Sequence, residues 1–199
     1  MQLSKTMLTL SPSPTVALNG KAKAMRAAGK EVLNFAVGEP DFSTPQAIRD
    51  IGIKAIRDGK TKYGPAGGSP QLRQAIADKL QKDNDLTFDP DDIVCGIGAK
   101  EILLHIFMGI LNRDDEVILT APHWVSYTEQ IKACGAKPVI VPPPPDMAKQ
   151  ALDLSAIKAA ITDKTTGFVL NSPNNPAGYV LAKEDLVALG NLLKEYPNI

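Results

Sequence analysis

Apolar residues occur along this chain in two rhythms, short continuous runs and helical steps, and the two alternate. Residues 13–29 read as a helix: the Ser13 hydroxyl can accept from first-turn N–H groups, Pro14 suits the first helical position, and Gly29 suits a left-handed stop. Residues 32–37 form an apolar run closed by Gly38, which predicts a strand leading into a loop. A second helix carries the same punctuation, with Thr44 as cap, Pro45 in first position and Gly59 at its end. A third begins at Ser69-Pro70 and places Leu72, Ile76 and Leu80 at helical spacing.

After Asp89-Pro90 the alternation quickens. The pattern predicts strands over 93–97, 116–121 and 165–171, an extended stretch over 138–141, and helices over 99–111, 124–134, 153–160 and 182–194. Strands alternating with helices of this length imply crossover connections, hence an α/β protein with a mostly parallel sheet. The Pro run 142–145 reads as a stiff extended spacer within that pattern. A strand is expected to follow the last helix; the sequence reaches Tyr196-Pro197-Asn198-Ile199 instead, which leads to the expectation of half of a larger unit.

Composition narrows the function. The 199 residues hold 22 Lys+Arg against 22 Asp+Glu, with 44% hydrophobic residues, as in ordinary soluble globular proteins. A chain of this size buries roughly 70% of the surface that its unfolded form exposes. No basic block points to nucleic acid. The longest mostly apolar run, 102–111, is about half a membrane span. The N-terminus lacks a sustained apolar stretch with a cleavage site, so a cytoplasmic chain is expected. Cys95 and Cys134 fit no metal spacing and compel no disulfide.

Five loops are candidates for chemistry. Gly96-Ile97-Gly98-Ala99-Lys100 joins a predicted strand to a predicted helix, and reads either as a structural turn or as a phosphate cradle at a helix start. It matches neither the dinucleotide fingerprint nor the P-loop. Glu101 is equally explained as a dipole-matched surface residue. Pro122-His123-Trp124-Val125-Ser126-Tyr127 follows a predicted strand, where open α/β sheets place ligands. There Trp124 can stack on a flat ring or serve as a core aromatic, and His123 can be a general base or structural. Asn171-Ser172-Pro173-Asn174-Asn175-Pro176-Ala177-Gly178 also follows a strand, and its prolines can hold consecutive amides as donors. The remaining two loops, around Gly38-Glu39-Pro40 and Tyr63-Gly64-Pro65, offer a backbone N–H and a tethered hydroxyl, or simply connect elements. No Ser/His/Asp set and no cluster of metal ligands emerges.

In this order and spacing the segments SPSPTVALNGKA, VGEPDFSTP, GKTKYGPAGG, GIGAKE, DDEVILTAPHWVSY and VLNSPNNPAG resemble the fold-type I pyridoxal-phosphate aminotransferases, most closely the bacterial aspartate aminotransferase subgroup termed I-beta. The resemblance runs from residue 11 to residue 199. It implies a three-layer α/β sandwich, with 1–45 as an N-terminal arm and small-domain segment and 46–199 as part of the cofactor-binding large domain. It also implies pyridoxal 5'-phosphate as cofactor, an amino acid such as aspartate and a 2-oxo acid as substrates, and no nucleic acid or membrane partner. Gly98, Ala99 and Lys100 would hold the cofactor phosphate, Trp124 would stack on its ring, and Asn175 would bond the ring oxygen. Gly38, Trp124 and Asn175 would border the substrate. Tyr63 would reach the neighbouring subunit's cofactor phosphate, which implies a homodimer with shared sites.

Several positions depart from the family's pattern: Ala177 stands where threonine is commoner, His123 where a tyrosine usually precedes the Trp, Glu101 where glutamine is usual, and Ser11 where prephenate-accepting members carry a basic residue. Ser13 and Thr15 keep hydroxyls for a distal carboxylate. The family's Schiff-base lysine lies further along than residue 199, so no catalytic residue is assigned and these residues alone are expected to be inactive. The same segments suit other fold-type I reactions: a β-lyase, an aromatic or kynurenine transaminase, or an aminocyclopropane-carboxylate-type synthase. They also suit a non-catalytic chain that associates with full-length subunits near Tyr63.

Overall fold

The computed structural model describes residues 2–35, 38–146 and 151–199. They fall into two compact units, Met1–Ser13 with Leu103–Ile199, and Pro14–Ile102. The first is organised by a three-stranded sheet of order β2-β1-β3, made of β1 (Glu116–Thr120), β2 (Lys137–Val141) and β3 (Thr165–Val169). Both pairings are parallel, with Glu116 opposite Lys137 and Thr165 at one end and Thr120 opposite Val141 at the other. The helices are α6 (Val125–Ala133) between β1 and β2, α7 (Leu154–Ala160) between β2 and β3, and α8 (Lys183–Leu193) after β3.

The period-two alternation of β1 sends its side chains to both faces, and both are covered. Val117 and Leu119 pack with Phe107 of α5 (Ala99–Ile110), with Leu111, and with Tyr127 and Ile131 of α6. Ile118 faces the other way, onto Val141, Leu152, Ile157 of α7, and Leu189 and Leu192 of α8. The unit is therefore a three-layer sandwich with helices on both faces, as the alternating pattern predicts. Its helices take their sequence punctuation literally: the Asp153 carboxylate accepts from Ala156 N–H at 3.0 Å, and Gly135, at φ +83°, closes α6.

The N-terminal arm adds an element that the hydrophobic pattern does not predict. Ser4 caps a one-turn helix, α1 (Lys5–Thr9), which packs on α6. Beyond it the Ser11 N–H donates to Glu129 Oε2 at 2.7 Å, and Lys132 Nζ donates to Glu129 Oε1 at 3.1 Å. Burial opposes the charged form of Glu129. The Ser11 N–H and the Lys132 ammonium outweigh it and hold the carboxyl below its ordinary range.

The unit Pro14–Ile102 is helical, with α2 (Pro14–Ala27), α3 (Gln46–Arg57), α4 (Pro70–Asn84) and a single 3-10 turn at Pro90–Asp92. Ser69 caps α4 as its sequence predicts, accepting from Leu72 N–H at 3.2 Å. Pro45 caps α3 through its carbonyl, which accepts from Ile48 and Arg49, so Thr44 lies outside the helix. Two predicted strands are corrected here. Residues 32–35 form no ladder, because Arg26 takes the Val32 carbonyl at 2.8 Å and Asn34 bonds Asn19; positions 36 and 37 of that prediction lie outside the described residues. Residues 93–97 form no ladder: Ile93 N–H closes the turn onto the Pro90 carbonyl and Cys95 N–H donates to the Gly67 carbonyl, so the sequence's strand signal meets no parallel neighbour among the described residues. Helix α3 leaves Ile48, Ile51 and Ile56 exposed.

Two outcomes follow from this packing. Ile118→Ala, at a position with 0% exposure, destabilises the chain by about 2–5 kcal/mol in urea unfolding, whereas Ile140→Ala, on half-exposed β2, costs less than about 1 kcal/mol. A carboxyl whose pKa is lowered on folding stabilises above its unfolded value of about 4.3 and loses that contribution as pH falls through the lower folded value. Hydrogen exchange at the Ser11 amide therefore accelerates as pH drops below the ordinary carboxylate range, relative to amides within α6. Glu129→Gln abolishes that pH dependence.

Candidate functional site

Strand order creates a crevice at one end of the sheet. From β1 the chain passes through α6 to β2 on one side, then through α7 to β3 on the other. The direction of winding thus reverses at β1, and ligands of open α/β sheets bind beyond the carboxyl ends of strands at such a reversal. The two segments that leave β1 and β3 there are 121–124 and 170–182. These hold the Trp124 and Asn175 motifs.

The two loops are stitched together by one buried side chain. Asn174 is 8% exposed; its Nδ2 donates to the Pro122 carbonyl at 3.2 Å, and its Oδ1 accepts from Ala177 N–H at 3.0 Å. Its backbone N–H donates to the Tyr179 carbonyl, and its carbonyl accepts from Gly178, both at 2.8 Å. Asn171 Oδ1 accepts from Asn175 N–H at 2.9 Å, and Ser172 Oγ from Leu181 N–H at 3.0 Å. The Asn174 amide, the Asn171 Oδ1 and the Ser172 Oγ are thus committed to shaping the loop, and the Asn175 side chain stands exposed at its rim. The peptide bonds before Pro122, Pro173 and Pro176 are cis.

Trp124 is half-buried at the start of α6, its ring edge-on to Tyr127 at 5.4 Å and 81°. Tyr127 is buried, which raises its phenol pKa, and it fixes one side of the indole. His123 Nδ1 lies 3.1 Å from the Trp124 carbonyl oxygen, a bond that requires the Nδ1–H tautomer and gives His123 a positioning contact.

The helix-start loop belongs to the unit Pro14–Ile102. Gly98 has φ +122°, and nothing lies within 4 Å of where its Cβ would stand, so a ligand can approach the backbone there. Its carbonyl accepts from Glu101 and Ile102 and starts α5, a helix of 12 residues whose positive dipole end lies at Ala99 and Lys100. Gly96 is constrained by contact: a Cβ there would come within 2.6 Å of Ile102 Cδ1 and 2.7 Å of Glu101 Oε2. Glu101 Oε2 accepts from Ile97 N–H at 2.6 Å, so this carboxylate folds back to brace the turn. Tyr63 in the same unit is wholly exposed, and Gly38 is exposed with open space before it.

Among the predicted site residues, Trp124 and Asn175 are brought to one crevice, while Gly38, Tyr63, Gly98, Ala99 and Lys100 belong to the helical unit. Asn171, Ser172 and Asn174 are the residues that sequence reasoning does not single out. The signal for them was present: consecutive Asn residues after a strand have short amides able to bond neighbouring backbone. Among the described residues there is no cluster of metal ligands.

Replacing Asn174 with Ala leaves the Pro122 carbonyl and the Ala177 N–H without their partner, at a cost of about 1–3 kcal/mol. The chain has one tryptophan, so its fluorescence reports the separation of the two loops directly: Asn174→Ala shifts Trp124 emission to the red, and Asn174→Asp shifts it less.

A profile of the family "Aminotransferase class I and II" matches residues 30–199. The probable aspartate/prephenate aminotransferase of Aquifex aeolicus is 46% identical over 193 residues, which cover 97% of this chain and 49% of that protein. The solved structure of the aspartate aminotransferase from Thermus thermophilus with maleate superposes with a TM-score of 0.92 at 39% identity, covering 98% of this chain and 51% of that one. An alanine aminotransferase from Pyrococcus furiosus gives 0.91 at 29% identity, covering 98% and 50%. The chain spans about half the length of the relatives it matches. Since the family profile takes in both the helix-start turn and the crevice over β1 and β3, this chain belongs to the class I and II aminotransferases.

Proposed function

We propose that these residues form the N-terminal part of a pyridoxal-phosphate-dependent enzyme that moves an amino group from aspartate, or a similar dicarboxylic amino acid, to a 2-oxo acid. The observation that carries this reading is the crevice at the winding reversal, with a half-buried indole fixed on one loop and an exposed amide on the other, joined through Asn174. Support for aspartate comes from the relatives named above and from the dicarboxylate maleate in the Thermus thermophilus structure.

The residues fit the cofactor. The open backbone at Gly98 and the start of α5, with its positive dipole end, suit a phosphate, which the N–H groups of Gly98, Ala99 and Lys100 would hold. Trp124 would cover a flat pyridine ring and exclude water from one face. Asn175 would donate to the ring oxygen and, with Gly38, border the substrate carboxylate. Pyridoxal phosphate, when bound, supplies the electron sink for amino transfer. The part of this chain is to bind and orient. Proton movement at the substrate is assigned to the family's lysine beyond these residues.

In this reading 1–45 is an arm with a small-domain segment, and 46–199 is part of the large domain. The active form is a homodimer in the cytoplasm. Support for the dimer comes from the helical unit, where Tyr63 stands clear of its own chain and α3 exposes Ile48, Ile51 and Ile56. No helix among the described residues is long and apolar enough to cross a membrane.

Added pyridoxal phosphate quenches Trp124 fluorescence saturably, and Gly98→Val weakens that binding about tenfold or more. The 199 residues assayed alone retain no cofactor after borohydride reduction and transfer no amino group. A chimera carrying residues 1–199 and the second half of the Aquifex aeolicus relative transaminates aspartate, and Asn175→Ala lowers its kcat/KM about tenfold or more. Preference of the chimera for an aromatic amino acid over aspartate would overturn the dicarboxylate assignment.

A further inference from the structure

The end of the sheet opposite the crevice carries a second cleft, of about 410 Å³. Its walls come from the beginning of β2 (Lys137, Pro138), the end of α6 (Lys132), the turn before β1 (Arg113) and the arm helix α1 (Lys5, Thr6, Thr9). All of these lie in the sheet-containing unit. Strand register fixes the polarity: Lys137 pairs with Glu116 at the amino ends of β2 and β1, while Trp124 follows the carboxyl end of β1.

The charge in this cleft is one-sided although the chain as a whole is neutral. Lys5, Arg113, Lys132 and Lys137 line it, and no carboxylate does. Lys132 is paired with Glu129. Lys5, Arg113 and Lys137 have no ion pair among the described residues. Of the acidic groups nearby in sequence, Asp115 accepts from Asn112 N–H at 2.7 Å, Glu129 from Ser11 N–H at 2.7 Å and Glu116 Oε2 from the Thr162 hydroxyl at 2.6 Å, while Asp114 stands next to Arg113 in the turn without lining the cleft. A helix C-terminus would ordinarily repel an anion. Here three of the last four carbonyls of α6 are consumed: those of Gln130, Ile131 and Lys132 accept from Cys134, Ala136 and Gly135.

We propose that this cleft is a site for a small polyvalent oxyanion of the di- or triphosphate class. Three cations with no ion pair among the described residues, beside Lys132, offset much of the charge of such a ligand, and the planar Arg113 guanidinium can engage two phosphoryl oxygens at once. The methyls of Thr6, Thr9 and Ala136 with the Pro138 ring give an attached organic group an apolar wall, in a cleft within the size range of small-molecule sites. Because α1 supplies one wall, a bound anion clamps the N-terminal arm against α6. The site is independent of the aminotransferase assignment.

The probe is inorganic tripolyphosphate, titrated calorimetrically into the 199-residue chain, with chloride and monophosphate for comparison. The expected result is saturable binding at about one site per chain, tighter than monophosphate by about tenfold and weakened by added salt. Lys5→Ala and Lys137→Ala are exposed changes that leave the fold intact, and each weakens tripolyphosphate about fivefold. Arg113→Ala weakens it more, whereas Lys183→Ala, on α8, leaves it unchanged. Bound tripolyphosphate also slows exchange of the Ser11 amide. Non-saturable binding, or binding that Lys137→Ala, Lys5→Ala and Arg113→Ala all leave intact, overturns the proposal. Equal binding of monophosphate and tripolyphosphate overturns the polyvalent class.

Discussion

Strand β1 is closed in on all sides: it has a parallel neighbour on each edge and a packed layer on each face. Val117, Ile118 and Leu119 are almost wholly buried, so the strand cannot shift by one residue without exchanging its two cores. That constraint locates nearly everything else in its unit. It puts α6 on one face and α7 with α8 on the other, and it places the reversal of winding at its own carboxyl end. The crevice is a consequence of where β1 stands, and its side chains are aimed by what leaves that strand.

Two loops leaving neighbouring strands do not by themselves make a site, because each has its own conformational freedom. Asn174 removes that freedom by bonding the Pro122 carbonyl across the crevice and closing its own turn through Ala177 and Gly178. Tyr127, packed into the core below, does the equivalent for the indole of Trp124. Residues proposed to meet ligand are therefore held by residues that are buried, a division in which supporting contacts set the precision of the groups above them. The helix-start turn follows the same logic: Gly98 leaves space, Gly96 admits the contact of Ile102 and Glu101, and Glu101 braces the backbone between them.

Much of this was legible in the sequence because local chemistry and tertiary placement agree. Ser69-Pro70 and the short apolar runs of β1 and β3 say where elements begin and end, and the structure follows them. The two misread strands share a cause. A run such as 93–97 carries strand propensity, but a strand exists only where a neighbour offers a ladder, and neighbours are not a local property. Helix α1 went unread for the converse reason: one turn has no periodicity to detect, and it is held by a cap and by packing on α6. In the site, Trp124, Asn175 and Gly98 were legible as residue types in revealing places. The local bonds of Asn171, Ser172 and Asn174 had a signal in their short polar side chains, whereas the Asn174 bond to Pro122 did not, because it joins positions whose proximity depends on the sheet.

The replacement of the commoner threonine by Ala177 shows how this division works. A hydroxyl is lost at the rim of the loop, yet the bond that residue 177 makes to Asn174 runs through its backbone N–H. Any residue except proline can make that bond, so the closure of the loop and its tie to Pro122 are insensitive to the side chain at 177. What the substitution alters is confined to the hydroxyl a ligand would meet. Asn174 has no such latitude: its bond to Pro122 needs an amide donor and its bond from Ala177 an amide acceptor, both on one short side chain. Variation at 177 therefore retunes the surface of the site, while variation at 174 removes the geometry on which that surface is displayed.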